Sequence, residues 1–222
     1  VQAFIVPHES LRERLAKRGI DSARVIVAGP PIQPRFAQDQ DRAAIRKEFG
    51  FADDQHVILV RADGIDAAWL DKVVFQATLV ESKVKFVFHH NGDGSTAATL
   101  RRAAQQYGLR ALMFGHVPDL QKYVAASDLV IAASREPLIA EIVALDRPVL
   151  FVGDAGAGSD QVEFLLREKA ARHVSDLLRL GTEIDGFLAP ATLDAARAAA
   201  AVISAKNGSR DVADALLLAT KH

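Results

Sequence analysis

One glutamate, Glu141, stands where a carboxylate could recognise a ribose. It belongs to a stretch of helical period, residues 138–145, which follows the apolar run 129–132 and a short loop containing Arg135. In open α/β sheets, ligands bind outside the carboxyl ends of the strands. A glutamate on the first turn of the next helix can accept two hydrogen bonds from a ribose diol, and Arg135 could clamp a phosphate. An ordinary carboxylate on a helix surface is the alternative for Glu141.

The turn after the apolar run 57–60 contains one glycine, Gly64. Successive backbone amides in such a turn can face a phosphate. Asp63 and Asp66 add negative charge to the same turn, and this charge would oppose an anion. The turn is therefore either a phosphate-binding turn or an ordinary connection in which Asp66 caps the following helix.

Two adjacent histidines, His89 and His90, follow the run 84–88 and precede Asn91. Paired histidines are compatible with a metal site, but adjacent side chains at a strand end point in opposite directions. The spacing identifies no third ligand either. We therefore expect no metal here, and we interpret His89 and Asn91 as part of a polar loop beside a ligand pocket.

Two later loops complete the candidate site. Each follows an apolar run, at 111–114 and at 149–152. The candidate site residues in and just after these loops are Gly115, His116, Val117, Gly156 and Gln161. Ordinary strand-to-helix loops are the alternative, because a Gly-x-Gly before a helix is by itself weak evidence for a phosphate.

Strands and helices must alternate to place these loops together. The runs rich in Val, Ile and Phe are residues 25–27, 57–60, 84–88, 111–114, 129–132 and 149–152. The stretches of helical period are residues 41–49, 67–80, 97–107, 120–126, 138–145 and 160–169. Unbroken apolar strands alternating with helices predict a doubly wound α/β fold with a mainly parallel sheet. The loops would then meet at the carboxyl edge of that sheet.

The composition excludes several classes of function. The chain has 222 residues, half of them hydrophobic, and a net charge of −1. This charge does not favour binding to nucleic acid. It contains no cysteine, which removes disulfides, thiolate catalysis and thiolate metal ligands. No apolar run approaches the roughly 18 residues that span a bilayer. We therefore expect a soluble protein.

The first 33 residues stand apart from the strand–helix repeat. They end in the extended cluster Gly29, Pro30 and Pro31, which is typical of a linker. We predict that residues 1–33 end a preceding domain and that residues 34–222 form the ligand-binding domain. Because the chain is strand-like from its third residue, we expect it to be the C-terminal part of a longer protein.

Two segments resemble a known family. Residues 113–128, Met-Phe-Gly-His-Val-Pro-Asp-Leu-Gln-Lys-Tyr-Val-Ala-Ala-Ser-Asp, and the triplet Ile139-Ala-Glu141 are similar to the C-terminal, donor-binding domain of GT-B glycosyltransferases. The similarity is to the lipid-directed group that contains monogalactosyldiacylglycerol synthase and the peptidoglycan N-acetylglucosaminyltransferase. Arg135 and Pro137 replace that family's two glycines, Glu136 replaces its proline and Leu138 its threonine. Pro137 removes an amide donor, Leu138 removes a hydroxyl and Glu136 adds a carboxylate beside the anion, so we expect the diphosphate to be bound weakly.

The resemblance implies transfer of a sugar from a nucleotide diphosphate, UDP in particular, to a lipid-linked or other acceptor. The nucleotide-sugar-binding residues that it implies are Gly64, His89, Asn91, Gly115, His116, Val117, Arg135, Leu138, Glu141, Gly156 and Gln161. It implies no metal, no cofactor and no catalytic residue in this chain, because the base belongs to an N-terminal acceptor domain. It also implies a cytoplasmic protein whose full-length form contacts the inner face of the membrane.

Two other functions remain open at this point. One is a degenerate nucleotide-binding or scaffolding domain that has lost turnover. The other is a sugar-nucleotide epimerase or hydrolase on the same fold, since a fold does not fix a reaction. The polar residues near the predicted edge that support the epimerase or hydrolase are His89, His90, Asp93 and His116.

Overall fold

A parallel sheet forms the centre of the structure, a computed structural model that describes residues 3–153, 160–204 and 208–219. The strands are β1 (Phe4–Val6), β2 (Val25–Val27), β3 (His56–Arg61), β4 (Val84–His89), β5 (Leu112–Phe114), β6 (Leu129–Ala133), β7 (Val149–Val152) and β8 (Ala171–Val174). Six of them make one sheet in the order β5-β4-β3-β6-β7-β8, and each neighbouring pair is parallel. The strand order reverses direction between β3 and β6, so the predicted doubly wound fold is confirmed.

Helices cover both faces of this sheet. They are α1 (Glu9–Lys17), α2 (Arg42–Glu48), α3 (Ala67–Ala77), α4 (Gly94–Tyr107), α5 (Leu120–Ala126), α6 (Ile139–Ala144), α7 (Asp160–Arg167), α8 (Leu180–Leu188), α9 (Pro190–Ser204) and α10 (Ser209–Ala219). Among the described residues no single helix is long and apolar enough to cross a membrane; a bent pair, Leu177–Leu188 with Pro190–Leu217, meets the length and composition criteria only when taken together.

The core has two halves, one on each face of the sheet. On one face, Ile58 and Ile131 of the strands pack with Leu70 of α3 and Leu100 of α4. On the other face, Leu59 and Val130 pack with Val124 of α5 and Ile142 of α6. Consecutive residues of β3 and β6 thus point into opposite halves of the core, which is why both strands are apolar throughout instead of alternating.

The first segment of the chain forms a separate two-stranded parallel sheet from β1 and β2. It packs on the helices that follow β7 and on α10. The His8 ring stacks on Phe164 of α7 with 4.3 Å between the ring centroids, and Arg14 pairs with Asp160. The linker is attached to the start of α10, because the Ile32 amide donates a hydrogen bond to Ser209 Oγ at 3.0 Å.

Two elements were not anticipated from the sequence. β8 (Ala171–Val174) contains Arg172 and His173 in its centre, so it never forms an apolar run, and α8 (Leu180–Leu188) follows it closely. β8 pairs only with β7 among the described strands, and its side chains are buried at both ends and more open in the middle. Such a pattern is expected at the edge of a sheet, where one side is open to solvent.

Candidate functional site

The carboxyl ends of four strands meet at one edge of the sheet. Arg61 of β3 lies beside His89 of β4, and His89 lies beside Phe114 of β5. A β-carbon placed on Gly64 would lie 3.5 Å from the β-carbon of Ala133, the last residue of β6. The loops that contain the predicted site residues therefore begin side by side, as the strand–helix alternation predicts.

A buried arginine, Arg61, occupies the centre of this edge. Its guanidinium faces the carboxylate of Glu136, with Nη2 3.2 Å from Oε1 and Nε 3.4 Å from Oε2. Arg61 is 3% exposed and Glu136 is 5% exposed. Nη2 also lies 3.0 Å from Asp63 Oδ2, and Nη1 contacts Nδ1 of His89. The loops after β3 and β6 are thus tied together by charge.

The ionisation of this cluster follows from its burial. Burial raises the pKa of Glu136 although the Arg61 guanidinium opposes the shift, and burial likewise raises the pKa of Asp63. Burial, followed by the positive charge of Arg61, lowers the pKa of His89 to about 3. His89 is therefore neutral at pH 7, and its Nδ1 lone pair accepts a hydrogen bond from Arg61.

The loop after β6 buries the side chain of Glu136. Its carboxylate is turned into the protein, and Oε1 accepts the backbone N–H of Leu138 at 3.1 Å. The helix begins at Ile139, with Leu138 at the N-cap position. Arg135, the predicted phosphate clamp, is exposed at the same loop. The Glu136 carboxylate is therefore buried against Arg61 and the Leu138 amide.

The loop after β4 makes a tight turn. Asn91 has φ 36° and Gly92 has φ 87°, a backbone conformation that asparagine and glycine adopt more readily than other residues. Asp93 then caps α4 by accepting the amides of Ser95 and Thr96, each at 3.1 Å. Hydrogen bonds from the Thr96 and Ser95 hydroxyls, followed by those from the two amides, lower the pKa of Asp93 to about 2. Asp93 is therefore the N-cap of α4.

Gly115 lies against this turn. A β-carbon at position 115 would be 3.3 Å from Cε1 of His90 and 3.6 Å from the α-carbon of Gly92. The loop that contains Gly115, His116 and Val117 is thus in contact with the loop that contains Asn91. Because the two loops touch, a side chain at position 115 would push them apart.

Glu141 lies at the same edge, close to the linker. Its carboxylate is buried and accepts a hydrogen bond from the Gln33 backbone amide, and burial raises its pKa. Arg35 acts on this carboxylate electrostatically, and its Nη1 donates to the carbonyl of Pro118 at 2.7 Å. Since Pro118 directly follows Val117, Gln33 and Arg35 together connect the loop after β5 with the first turn of α6.

Two predicted residues belong to the loop and helix after β7. Gln161 lies in the first turn of α7 and lines a cavity of about 280 Å³ together with His8, Ala140 and Phe164. Gly156 lies outside the described residues. The structure therefore brings together the loops after β3, β4, β5 and β6. Gln161 lines the same cavity as Ala140, the residue that precedes Glu141.

Sequence reasoning missed two residues at this edge, Arg61 and Ser134. Ser134 Oγ and His90 Nδ1 are both buried without a hydrogen-bond partner, which is uncommon for buried polar atoms. A charged residue at the end of an otherwise apolar strand was the available signal for Arg61. Among the described residues, no group of three or more His, Cys, Asp or Glu side chains is arranged to hold a metal ion.

Comparisons with known proteins show that the relatives of this chain are glycosyltransferases. No protein-family model matches the sequence. The processive diacylglycerol beta-glucosyltransferase of Bacillus pumilus (strain SAFR-032) is 23% identical over 68% of this chain and 39% of its own length. The UDP-N-acetylglucosamine–N-acetylmuramyl-(pentapeptide) pyrophosphoryl-undecaprenol N-acetylglucosamine transferase of Mycobacterium ulcerans (strain Agy99) is 29% identical over 90% of this chain and 53% of its own length. The chain thus spans about half or less of these curated relatives.

Solved structures share the fold at lower identity. Anabaena Alr3699/HepE, solved with UDP and glucose, has a TM-score of 0.66 and 15% identity over 97% of this chain and 63% of that chain. UDP-GlcNAc 2-epimerase from Neisseria meningitidis, bound to UDP-GlcNAc, has a TM-score of 0.69 and 16% identity over 97% and 61%. The C-terminal CMP-Kdo binding domain of WaaA from Acinetobacter baumannii has a TM-score of 0.60 and 13% identity over 77% of this chain and 98% of that domain. The chain is therefore homologous to GT-B glycosyltransferases and has the Rossmann-like fold of one half of such enzymes.

Proposed function

We propose that this chain is the donor-binding half of a glycosyltransferase that moves a sugar from a nucleoside diphosphate, UDP in particular, to a lipid-linked acceptor. The observation that carries the proposal is the meeting of the loops of Gly64, Asn91, Gly115 and Glu141 at one edge of a doubly wound sheet. Such an edge is where this class of fold binds ligands. The names of both curated relatives, which act on lipids or lipid-linked acceptors, supply the substrate class.

Each loop has a role in this proposal. The backbone after Gly115 would read the base, and its contact with the turn at Asn91 fixes its position. The Glu141 carboxylate would accept the ribose hydroxyls, since the Gln33 amide already orients it. Exposed Arg135 would meet the phosphates, and Gln161 would lie toward the sugar. The rate enhancement would come from positioning and from stabilising the charge of the departing diphosphate.

The rest of the enzyme would come from a domain that precedes residue 34. The catalytic base and the acceptor site would belong to that domain, with residues 1–33 as its last part. The full-length protein would work in the cytoplasm at the inner face of the membrane, where lipid-linked acceptors are found. The chain alone should then bind nucleotide without transferring sugar.

The variant Glu141→Gln tests the assignment of the ribose contact. Glutamine keeps the acceptor for the Gln33 amide but removes the charge, and a hydrogen bond to a charged group is worth about 1.5–3 kcal/mol. We expect UDP to bind about tenfold more weakly in a calorimetric or NMR titration. With 2′-deoxy-UDP, which lacks one hydroxyl of the diol, wild type and variant should differ much less.

The control is Glu48→Gln, a charge-matched change at an exposed glutamate that pairs with Lys122 on another part of the surface. It should leave UDP binding unchanged. If Glu141→Gln weakens UDP and 2′-deoxy-UDP equally, the ribose role of Glu141 is wrong. If neither protein binds any uridine nucleotide, the proposed function is wrong.

One observation favours a second candidate, a nucleotide-binding domain that has lost turnover. The Glu136 carboxylate occupies both the Arg61 guanidinium and the Leu138 amide, two donors that could otherwise serve a phosphate. A transfer assay with the full-length protein separates the two candidates. Release of UDP that depends on the acceptor supports the enzyme, whereas UDP binding without release supports the binding domain.

A further inference from the structure

The pairing of Arg61 with Glu136 has the geometry of an occupied anion site. Two nitrogens of one guanidinium face the two oxygens of one carboxylate, at 3.2 and 3.4 Å. Arginine recognises phosphate with the same forked geometry. The pair is buried at the carboxyl edge, between the loops of Gly64 and Arg135, where the proposed function places the phosphates of a nucleotide.

Two loops at this edge each contain a buried polar atom that has no hydrogen-bond partner. Ser134 Oγ and His90 Nδ1 are buried without a hydrogen-bond partner. Both residues are more than nine-tenths buried, and they belong to the loops that contain Glu136 and Asn91. Buried polar atoms in native proteins usually have a partner, so those without one require an explanation. A ligand that brings its own oxygen atoms would supply those partners.

We propose that Arg61 is a second phosphate-binding cation of the nucleotide site, beside Arg135, and that Glu136 is its internal counter-ion, which a phosphate of the nucleotide must displace. The proposal rests on the proposed function, because it concerns the phosphates of the same ligand. It assigns a binding role to Arg61 and explains why a site with a buried arginine should hold a diphosphate poorly.

The charges of the cluster show why displacement is required. Arg61 is the one cation in the cluster, it faces both Glu136 and Asp63, and His89 is neutral. Within the cluster of Arg61, Glu136, Asp63 and His89, a phosphate that approaches while Glu136 is in place therefore meets two carboxylates and one guanidinium. A buried arginine cannot be left without a counter-ion at low cost, so one anion has to replace the other. Because Glu136 is followed by exposed Pro137 and precedes α6, it can turn outward without unwinding a helix.

The variant Glu136→Gln tests the proposal. Glutamine keeps the size of the side chain and an acceptor for the Leu138 amide, but it no longer competes as an anion for Arg61. Uridine and UDP are titrated into wild type and variant, followed by NMR. We expect UDP to bind at least tenfold more tightly to the variant, whereas the affinity for uridine, which has no phosphate, stays the same.

Two further variants show that the gain depends on Arg61. In the double variant Arg61→Gln/Glu136→Gln, which leaves neither charge buried, the gain for UDP should disappear. Asp54→Asn makes the same change in net charge at an exposed carboxylate that precedes the amino end of β3 and pairs with Lys83. It should change the affinity for UDP less than twofold. Unaltered uridine binding shows that each variant is folded.

The unmodified chain provides a second measurement. If Glu136 holds the phosphate position, the diphosphate of UDP should improve binding over uridine by less than threefold. Equal UDP affinity in wild type and Glu136→Gln, or an equal gain in the double variant, overturns the proposal while uridine binding keeps the proposed function intact. If neither uridine nor UDP binds to any of these proteins, the proposed function fails, and this proposal fails with it.

Discussion

Arg46 and Asp128 form a buried ion pair at the amino end of the sheet, with Nη1 3.2 Å from Oδ2. The same carboxylate accepts the Val57 amide at 2.8 Å, and Arg46 also donates to the carbonyls of Ala52 and Gln55 at 2.8 and 2.7 Å. The pair therefore joins α2, the start of β3 and the start of β6. It lies at the opposite end of the sheet from the candidate site, so its role is to hold the fold.

Asp128→Asn should destabilise the protein by about 3 kcal/mol, because removing one partner of a buried pair leaves an uncompensated charge. Chemical denaturation at pH 7 measures this loss. Asp194→Asn is the matched control, since this carboxylate is 76% exposed and lies 3.9 Å from Arg197. The control should change the free energy of unfolding by less than about 0.5 kcal/mol. Equal effects of the two variants would contradict the structural role of Asp128.

The strand–helix alternation was readable from the sequence, whereas the charged pairs were not. The apolar runs predicted β3, β4, β6 and β7 because strands covered on both faces leave no polar positions. Glu136 and Arg61 are 75 residues apart, and they meet only because β3 and β6 are neighbours. No pattern in the sequence specifies that strand order, so the inward orientation of Glu136 could not be predicted.

His89 should make the protein less stable as the pH falls. Its pKa in the folded protein, about 3, is below the value of about 6.5 in an unfolded chain. The unfolded state therefore binds more protons between these values, so the contribution of His89 is complete above pH 6.5 and is lost as the pH falls toward 3. Between pH 7 and pH 5 the loss is about 1–2 kcal/mol.

His89→Asn should reduce this pH dependence. Asparagine retains an acceptor for Arg61 but does not titrate. The free energy of unfolding of each protein is measured at pH 7 and at pH 5, and the difference between the two pH values should be smaller in the variant by about 1–2 kcal/mol. Glu136 and Asp63, whose pKa values are raised, act in the opposite direction but are present in both proteins. An identical difference in the two proteins would mean that His89 is protonated with little cost in the folded state.

Gly115→Ala should weaken nucleotide binding and lower stability together. The added β-carbon would lie 3.3 Å from the His90 ring, and overpacking of this kind typically costs about 1–3 kcal/mol. Gly186→Ala is the matched control, because nothing lies within 4 Å of its β-carbon position in α8. There the same change should stabilise the protein by about 0.5–1 kcal/mol. Unchanged UDP binding in Gly115→Ala would remove the loop after β5 from the proposed site.

A two-dimensional amide NMR titration with UDP tests whether a nucleotide binds at the carboxyl edge of this sheet with a weak phosphate contact. We expect saturable shifts at the amides of Gly64, Gly115, His116 and Glu141. The dissociation constant should be in the millimolar range, since several phosphate donors worth about 1–3 kcal/mol each are absent or occupied. Shifts centred at the opposite edge around Asp128, or a dissociation constant in the low micromolar range, would contradict this expectation.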